Sequence, residues 1–167
     1  MSVRHIAVAA TLLLAAAPAF ATLALAQAPL RDTPAEAMKF IPQEETAKAL
    51  MTLLPGQTYA YEFVSDHENY FILFAKRVDH GNSPEVHEHW IDNITIVSGE
   101  GSLTYGGELV GAKPTAPGEA RGGSFTGATT TQPIKPGDFF LMPAGIPHML
   151  SAAKGKELTY LVFKTKR

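Results

Sequence analysis

The chain of 167 residues contains no cysteine and only one tryptophan, and its charges nearly balance. Without cysteine it can form no disulfide, offer no thiolate to a metal and use no cysteine nucleophile. It has 14 basic and 16 acidic residues, a net charge of −2, with no evident basic patch, so nucleic acid is not an expected partner. The serine-nucleophile motif G-x-S-x-G is also missing.

The first 26 residues have the layout of an export signal. Arg4 and His5 give a short basic start, residues 6–20 are almost wholly apolar, and small residues surround Ala26. This pattern predicts a secretory signal peptide cleaved after Ala26, and hence a periplasmic or secreted protein with no membrane contact after cleavage. An uncleaved membrane anchor is the alternative, but Pro18 and the weak hydrophobicity of alanine count against it. Without Arg4 the chain keeps 13 basic and 16 acidic residues, a net charge of −3.

Residues 27–57 are interpreted as a loose arm followed by a short helix. Pro42 and the acidic residues after it resemble the first turn of a helix. The Pro55-Gly56 pair would end this helix. Its apolar stripe, which we expect to pack against the rest of the domain, consists of Ala47, Leu50, Met51 and Leu54.

The remainder, residues 58–167, has the pattern of an all-β domain. Short stretches rich in β-branched and aromatic residues alternate with glycine and proline turns, which indicates a sandwich or small barrel. Residues 111–127 interrupt this pattern and are either a solvated hairpin loop or a lid in which Arg121 could bind a carboxylate. The predicted strands cover residues 59–64, 70–78, 86–90, 94–97, 102–105, 129–134, 139–142, 147–151 and 157–164.

Two histidine clusters carry the chemistry of the chain. His87 and His89 are one residue apart on a predicted strand, so they are expected on the same face. A third ligand must come from another strand, and His148 fits because the proline-rich bend before it fixes its entry angle. Three imidazoles with a nearby carboxylate, Asp92, are the ligand set of a catalytic-type metal site. Glu85 and Glu88 are expected at the solvated edge.

With the glycines around them, these clusters resemble the two motifs of the cupin superfamily, G-x5-H-x-H-x3,4-E-x6-G and G-x5-P-x-G-x2-H-x3-N. The resemblance covers residues 59–163. It implies a single jelly-roll β-barrel that binds one divalent metal ion, of a kind that often pairs as a homodimer. The matching segments are Gly81-x5-His87-x-His89 and Gly137-x5-Pro143-x-Gly145-x2-His148.

The motif glutamate has no direct counterpart, and two counts place it differently. Counting forward from His89 gives Asn93, whereas counting back six residues from Gly99 gives Asp92. Strand parity favours Asn93, while the charge of a divalent ion favours Asp92. We predict Asp92, which would require a one-residue turn or bulge after Trp90. If neither side chain reaches the ion, a three-histidine site remains.

The expected ligand set leaves positions open on the ion and does not distinguish Mn, Fe, Zn, Ni and Cu. An apolar pocket around such an ion favours a small-molecule enzyme, namely a metal-dependent oxygenase, isomerase or lyase. A non-catalytic barrel that binds or senses a small molecule through the same metal is the alternative. The pocket residues are predicted among Phe71, Tyr105, Phe139, Leu141, Leu150 and Phe163.

Overall fold

The computed structural model describes residues 40–42, 44, 53, 55–78 and 83–167. The predicted signal peptide, residues 1–26, and almost all of the arm and helix predicted over residues 27–57 lie outside these residues. Within the described ranges, no helix is long and apolar enough to cross a membrane.

The described domain is built of β-strands, as the sequence predicts. The strands form a five-stranded sheet in the order β1-β2-β11-β4-β9 and a six-stranded sheet in the order β6-β7-β3-β10-β5-β8. All pairs are antiparallel, and the two sheets remain separate among the described strands, so the predicted closure of the barrel is not seen. The strands are β1 (Tyr59–Asp66), β2 (Tyr70–Val78), β3 (Glu85–His87), β4 (Trp90–Gly99), β5 (Gly101–Val110), β6 (Lys113–Ala116), β7 (Glu119–Arg121), β8 (Ser124–Ile134), β9 (Phe139–Met142), β10 (His148–Ala152) and β11 (Glu157–Lys166).

The core lies between the inner faces of the two sheets. Alternate residues of a strand point to opposite faces, and on β4 the residues Ile94 and Ile96 point inward while Val97 is exposed. Their partners on β11, Val162 and Tyr160, are buried beside them. Both sheets contribute to the apolar cluster, which consists of Leu73, Ala75, Ile94, Ile96, Leu103, Ile134, Met142, Leu150, Ala152, Leu158, Tyr160 and Val162.

The strand that the sequence predicts over residues 86–90 is interrupted by a bend between β3 and β4. β3 ends at His87, Glu88 and His89 form a bend, and β4 begins at Trp90. A bend resets which face each side chain points to. Alternation counted from His89 therefore does not extend into β4.

The excursion over residues 111–127 is a strand hairpin and not an irregular loop. β6 and β7 pair with each other, and β7 pairs with β3 in the register Glu85↔Arg121 and His87↔Glu119. At the tip, Gly118 has φ +72° and its α-carbon lies against the ring of His89, so a β-carbon there would collide with the imidazole. The hairpin thus places β7 beside the strand that carries the first histidine cluster.

Candidate metal centre

Four side chains from three strands converge in the interior between the sheets. Glu85 and His87 point inward from β3, Asp92 from β4 and His148 from β10, and all four are buried. One donor atom from each of Glu85, His87 and His148 can be chosen so that the three lie within 4.8 Å of one another. Asp92 Oδ2 lies 3.6 Å from His87 Nε2 and 3.5 Å from His148 Nε2.

The two imidazoles are oriented by hydrogen bonds on the side of the ring that faces away from the cluster. His148 Nδ1 donates to the backbone oxygen of Ile146 at 3.0 Å, and His87 Nδ1 donates to Glu119 Oε2. With Nδ1 as the donor, the Nε2 atom of each ring faces the cluster, where its lone pair can bind a metal ion when the ring is neutral. Histidines that bind metals in proteins are held in this way.

The two carboxylates are held by cations on their outer sides. Lys164, which lies opposite Asp92 in the β4–β11 register, places Nζ 3.1 Å from Asp92 Oδ1. Arg121 forms an ion pair with Glu85 across the β3–β7 pair. Each carboxylate therefore has one oxygen toward a cation, and the other oxygens, Asp92 Oδ2 and Glu85 Oε1, lie 3.5 and 3.9 Å from His148 Nε2.

These contacts decide the charge state of the cluster. Burial alone raises the pKa of Asp92, but the ring of His148 and the ammonium of Lys164 outweigh it and lower that pKa to about 2. Burial likewise raises the pKa of Glu85, and Arg121 with the nearby histidines brings it below its ordinary value. Burial lowers the pKa of His148, but Asp92 outweighs it and the pKa is raised. Both carboxylates are thus anionic at neutral pH.

The structure separates His89 from the other predicted ligands. His89 is exposed on the bend after β3 and packs over Gly118, so it does not share the buried face of His87. The prediction of a shared face depended on an unbroken strand, and β3 ends at His87. Of the two candidates for the fourth ligand, Asp92 points inward, whereas Asn93 points outward and donates from Nδ2 to the backbone oxygen of Phe163.

The predicted pocket residues divide between the two faces of the sheets. Leu150 belongs to the core, and Phe71 and Tyr105 are partly buried against it. Phe139, Leu141 and Phe163 are instead 62%, 54% and 39% exposed. These last three residues therefore cannot line an internal pocket. Alternate residues of a strand face opposite sides of the sheet, and Leu141 pairs with the outward Asn93 while Met142 pairs with the inward Asp92.

Sequence reasoning missed Glu85, which it assigned to the solvated edge. The signal is present once Gly99 fixes the count, because the chain reads Glu85-x-His87-x4-Asp92-x6-Gly99. This is the first cupin-like motif shifted by two residues, with glutamate replacing its first histidine and aspartate replacing its glutamate. Glu119 and Arg121 carry no such signal, because only the β3–β7 pairing brings them to the cluster.

The donor set fits a divalent cation. Among the described residues, His87 Nε2 and His148 Nε2 are buried and have no hydrogen-bond partner. Three of the donor separations are 3.5–3.9 Å, and the donors of Glu85, His87 and His148 lie within 4.8 Å of one another. These separations are wider than the roughly 3 to 3.5 Å between donors that share one ion at about 2.1 Å, so the side chains would move inward to bind one.

Comparisons with known proteins show the fold. No protein-family profile matches the chain, and no curated protein matches it. A conserved protein of unknown function from Streptococcus pyogenes is similar in structure, with TM-score 0.52, 16% identity, and coverage of 85% of this chain and 97% of that one. Recombinant oxalate oxidase in complex with glycolate aligns with TM-score 0.50 and 12% identity over 71% of this chain and 57% of its own. Peruvianin-I, a cysteine peptidase from Thevetia peruviana latex, gives TM-score 0.51, 15% identity, and coverage of 80% and 77%.

The fold and the buried cluster together define a cupin-like β-protein with a Glu/His/His group that could hold a metal ion. The resemblance to the cupin superfamily that the sequence motifs indicate is confirmed for the fold. The chain spans little more than half of the oxalate oxidase chain, and it contains no cysteine with which to share the chemistry of a cysteine peptidase.

Proposed function

We propose that this protein is a divalent-metal-dependent enzyme that acts on a small organic molecule, with Glu85, His87, Asp92 and His148 as the metal ligands. The observation that supports this proposal is the convergence of two buried imidazole nitrogens with two ionised carboxylates, one of which lies 3.5 Å from His148 Nε2 and 3.6 Å from His87 Nε2. A redox-inert ion would supply Lewis-acid chemistry at this site, and a redox-active one would supply electron transfer or oxygen chemistry.

The residues of the chain would then have distinct tasks. The imidazoles of His87 and His148 donate lone pairs, and Glu119 and the Ile146 carbonyl hold them in the correct tautomer. Arg121 and Lys164 keep the two carboxylates ionised and turned toward the cluster. Four protein ligands leave up to two positions of a six-coordinate ion for a ligand. The glycolate bound to the oxalate oxidase neighbour supports a small acid as that ligand.

A non-catalytic binding or sensing protein is the second candidate, and one observation favours it. Among the described residues around the cluster, the titratable side chains are already engaged. Glu119 accepts from His87, Arg121 pairs with Glu85, and Lys164 pairs with Asp92. Enzymes of this kind need a free group or a metal-bound water for proton transfer, so turnover must be measured separately from metal binding.

The test of the metal site is the metal content of purified variants. The wild type should contain close to one divalent ion per chain, and His87→Ala and His148→Ala should each lose most of it. His89→Ala is the matched control, since His89 is exposed and lies outside the cluster, and it should retain the wild-type content. Wild-type protein without metal after growth in metal-replete medium would refute the proposal. Loss of metal in His89→Ala would refute this ligand set.

We further propose that residues 58–167 form the metal-binding domain and that the protein acts without nucleic acid. We also propose that residues 1–26 direct export to the periplasm or the medium, and that the exported protein has no membrane contact. The supporting pattern is the apolar, small-residue N-terminal stretch of the sequence. Mass spectrometry of protein from the native envelope should show a chain beginning at Gln27. A full-length chain retained in the membrane fraction would refute cleavage. A homodimer is a further proposal for the solution state.

A further inference from the structure

A second polar cluster lies in the interior, outside the four candidate ligands. Arg77 points inward from β2 and is only 4% exposed. Its Nε and Nη2 donate to the hydroxyl oxygen of Tyr160 at 3.4 and 3.3 Å, and its guanidinium carbon lies 4.9 Å from the centroid of the Tyr59 ring. Among the described residues, Arg77 has no carboxylate as an ion-pair partner.

Such a guanidinium is unusual, because a buried charge is unfavourable unless it is paired. Arginine cannot escape the penalty by losing its proton. Burial does lower the pKa of Arg77, but the hydroxyl of Tyr160 and the charge of Glu85 outweigh it and raise that pKa. Tyr160 accepts two of the five N–H donors of the side chain and brings no negative charge at neutral pH, because its own pKa is raised by burial.

Arg77 and the candidate metal centre share the interior between the two sheets, since Arg77 and Glu85 are both buried. The charge of Glu85 helps to raise the pKa of Arg77 and of Tyr59, although Arg121 is the cation that Glu85 contacts. The three carboxylates Glu85, Asp92 and Glu119 balance the three cations Arg77, Arg121 and Lys164 when the histidines are neutral. A divalent ion bound by Glu85 would leave the interior with two uncompensated positive charges.

We propose that Arg77, with Tyr160, is the binding subsite for a carboxylate of the molecule that occupies the metal centre. The inference rests on the proposed function and narrows its ligand to a small organic acid. One end of that acid carries an oxygen group for the ion and the other a carboxylate for Arg77. Guanidinium groups bind carboxylates through two parallel N–H···O bonds, and the incoming anion supplies the missing negative charge.

The test uses succinate and succinamate, in which one carboxylate of succinate is replaced by an uncharged amide. Dissociation constants are measured by calorimetry on zinc-loaded protein. Wild type should bind succinate about tenfold more tightly than succinamate, the ratio expected for one charge-assisted contact. Arg77→Gln should reduce this ratio to less than about twofold at unchanged zinc content, and Arg77→Lys should give an intermediate ratio because it keeps the charge without the fork.

Lys76→Gln is the matched control, since Lys76 is the next residue on β2 and pairs with Glu157 on the other face. It should keep the wild-type ratio. A wild type that binds zinc without preferring succinate overturns the inference even if the Arg77 variants fail to fold. An Arg77→Gln protein that is less stable but keeps the preference also overturns it and assigns Arg77 a structural role. Wild type that binds no zinc overturns the proposed function instead.

Discussion

Glu119 offers the sharpest test of how this chain would hold a metal, because it contacts a candidate ligand and not the ion. Its carboxylate accepts the Nδ1 hydrogen of His87, and its side chain is 20% exposed while that of His87 is 7% exposed. A hydrogen bond to a charged group contributes about 1.5–3 kcal/mol. Loss of such outer contacts weakens metal binding by about 10- to 100-fold, or about 1.4–2.8 kcal/mol. Glu119→Gln, which keeps the shape and removes the charge, should fall near the lower figure, and Glu119→Ala near the upper one.

The measurement is zinc affinity by competition with a chromophoric chelator, supported by the visible spectrum of the cobalt form, which reports the ligand geometry. Glu88→Gln is the control because it removes one negative charge from an exposed position next to His87. If the effect operates through the ring of His87, Glu88→Gln leaves the affinity unchanged. Equal losses in Glu88→Gln and Glu119→Gln would show a general charge effect. Unchanged affinity in both Glu119 variants would refute the ring-holding role.

Two further predictions concern stability. The folded pKa of Asp92 is about 2 against an ordinary 3.8, a difference of about 2 kcal/mol of unfolding free energy in the metal-free protein. This stabilisation is present above the unfolded pKa and is lost as pH falls through the folded one, so the advantage of wild type over Asp92→Asn in urea unfolding should shrink between about pH 5 and about pH 2; a constant difference would contradict the shifted pKa. Leu150→Ala, in the core at 2% exposure, should lower the free energy of unfolding by about 2–5 kcal/mol. Leu141→Ala, at 54% exposure, should change it by no more than about 0.5 kcal/mol. Similar losses in the two variants would contradict the assigned faces.

The fold class followed from the sequence because its signals are local. Apolar residues alternate within the strands and glycines mark the turns between them. The predicted segments 70–78 and 139–142 coincide with β2 and β9. The break after His87 was not predictable in the same way. Nothing local distinguishes the bend at Glu88 and His89 from a continuing strand. At the bend, the backbone N–H of Glu88 donates to the oxygen of Gly118 on the distant hairpin, a contact that the local sequence does not reveal.

In the candidate metal centre, too, the residues with a local sequence signal were predicted and those that depend on contacts between distant segments were not. His87 and His148 were predicted from motif spacing, and the structure brings both into the cluster. Asp92 was predicted from charge, against a parity argument that assumed an unbroken strand. Glu85 was missed because a glutamate beside a turn resembles a solvated residue. Arg121, the cation that makes its burial tolerable, lies 36 residues away in the chain.

Glu85 and Arg121 are best understood as one unit. In the shifted reading of the cupin-like motif, position 85 is the first histidine. A histidine there would leave Arg121 opposite a neutral ring and without a counter-ion in the β3–β7 pair. A glutamate without Arg121 would be buried with less to offset the desolvation that raises its pKa. The exchange of an imidazole for a carboxylate therefore depends on the β6–β7 hairpin, which supplies the cation to Glu85 and the acceptor to His87 from the same short strand. The segment that looks least ordered in the sequence, rich in glycine and proline, is the one that makes this ligand set electrostatically tolerable.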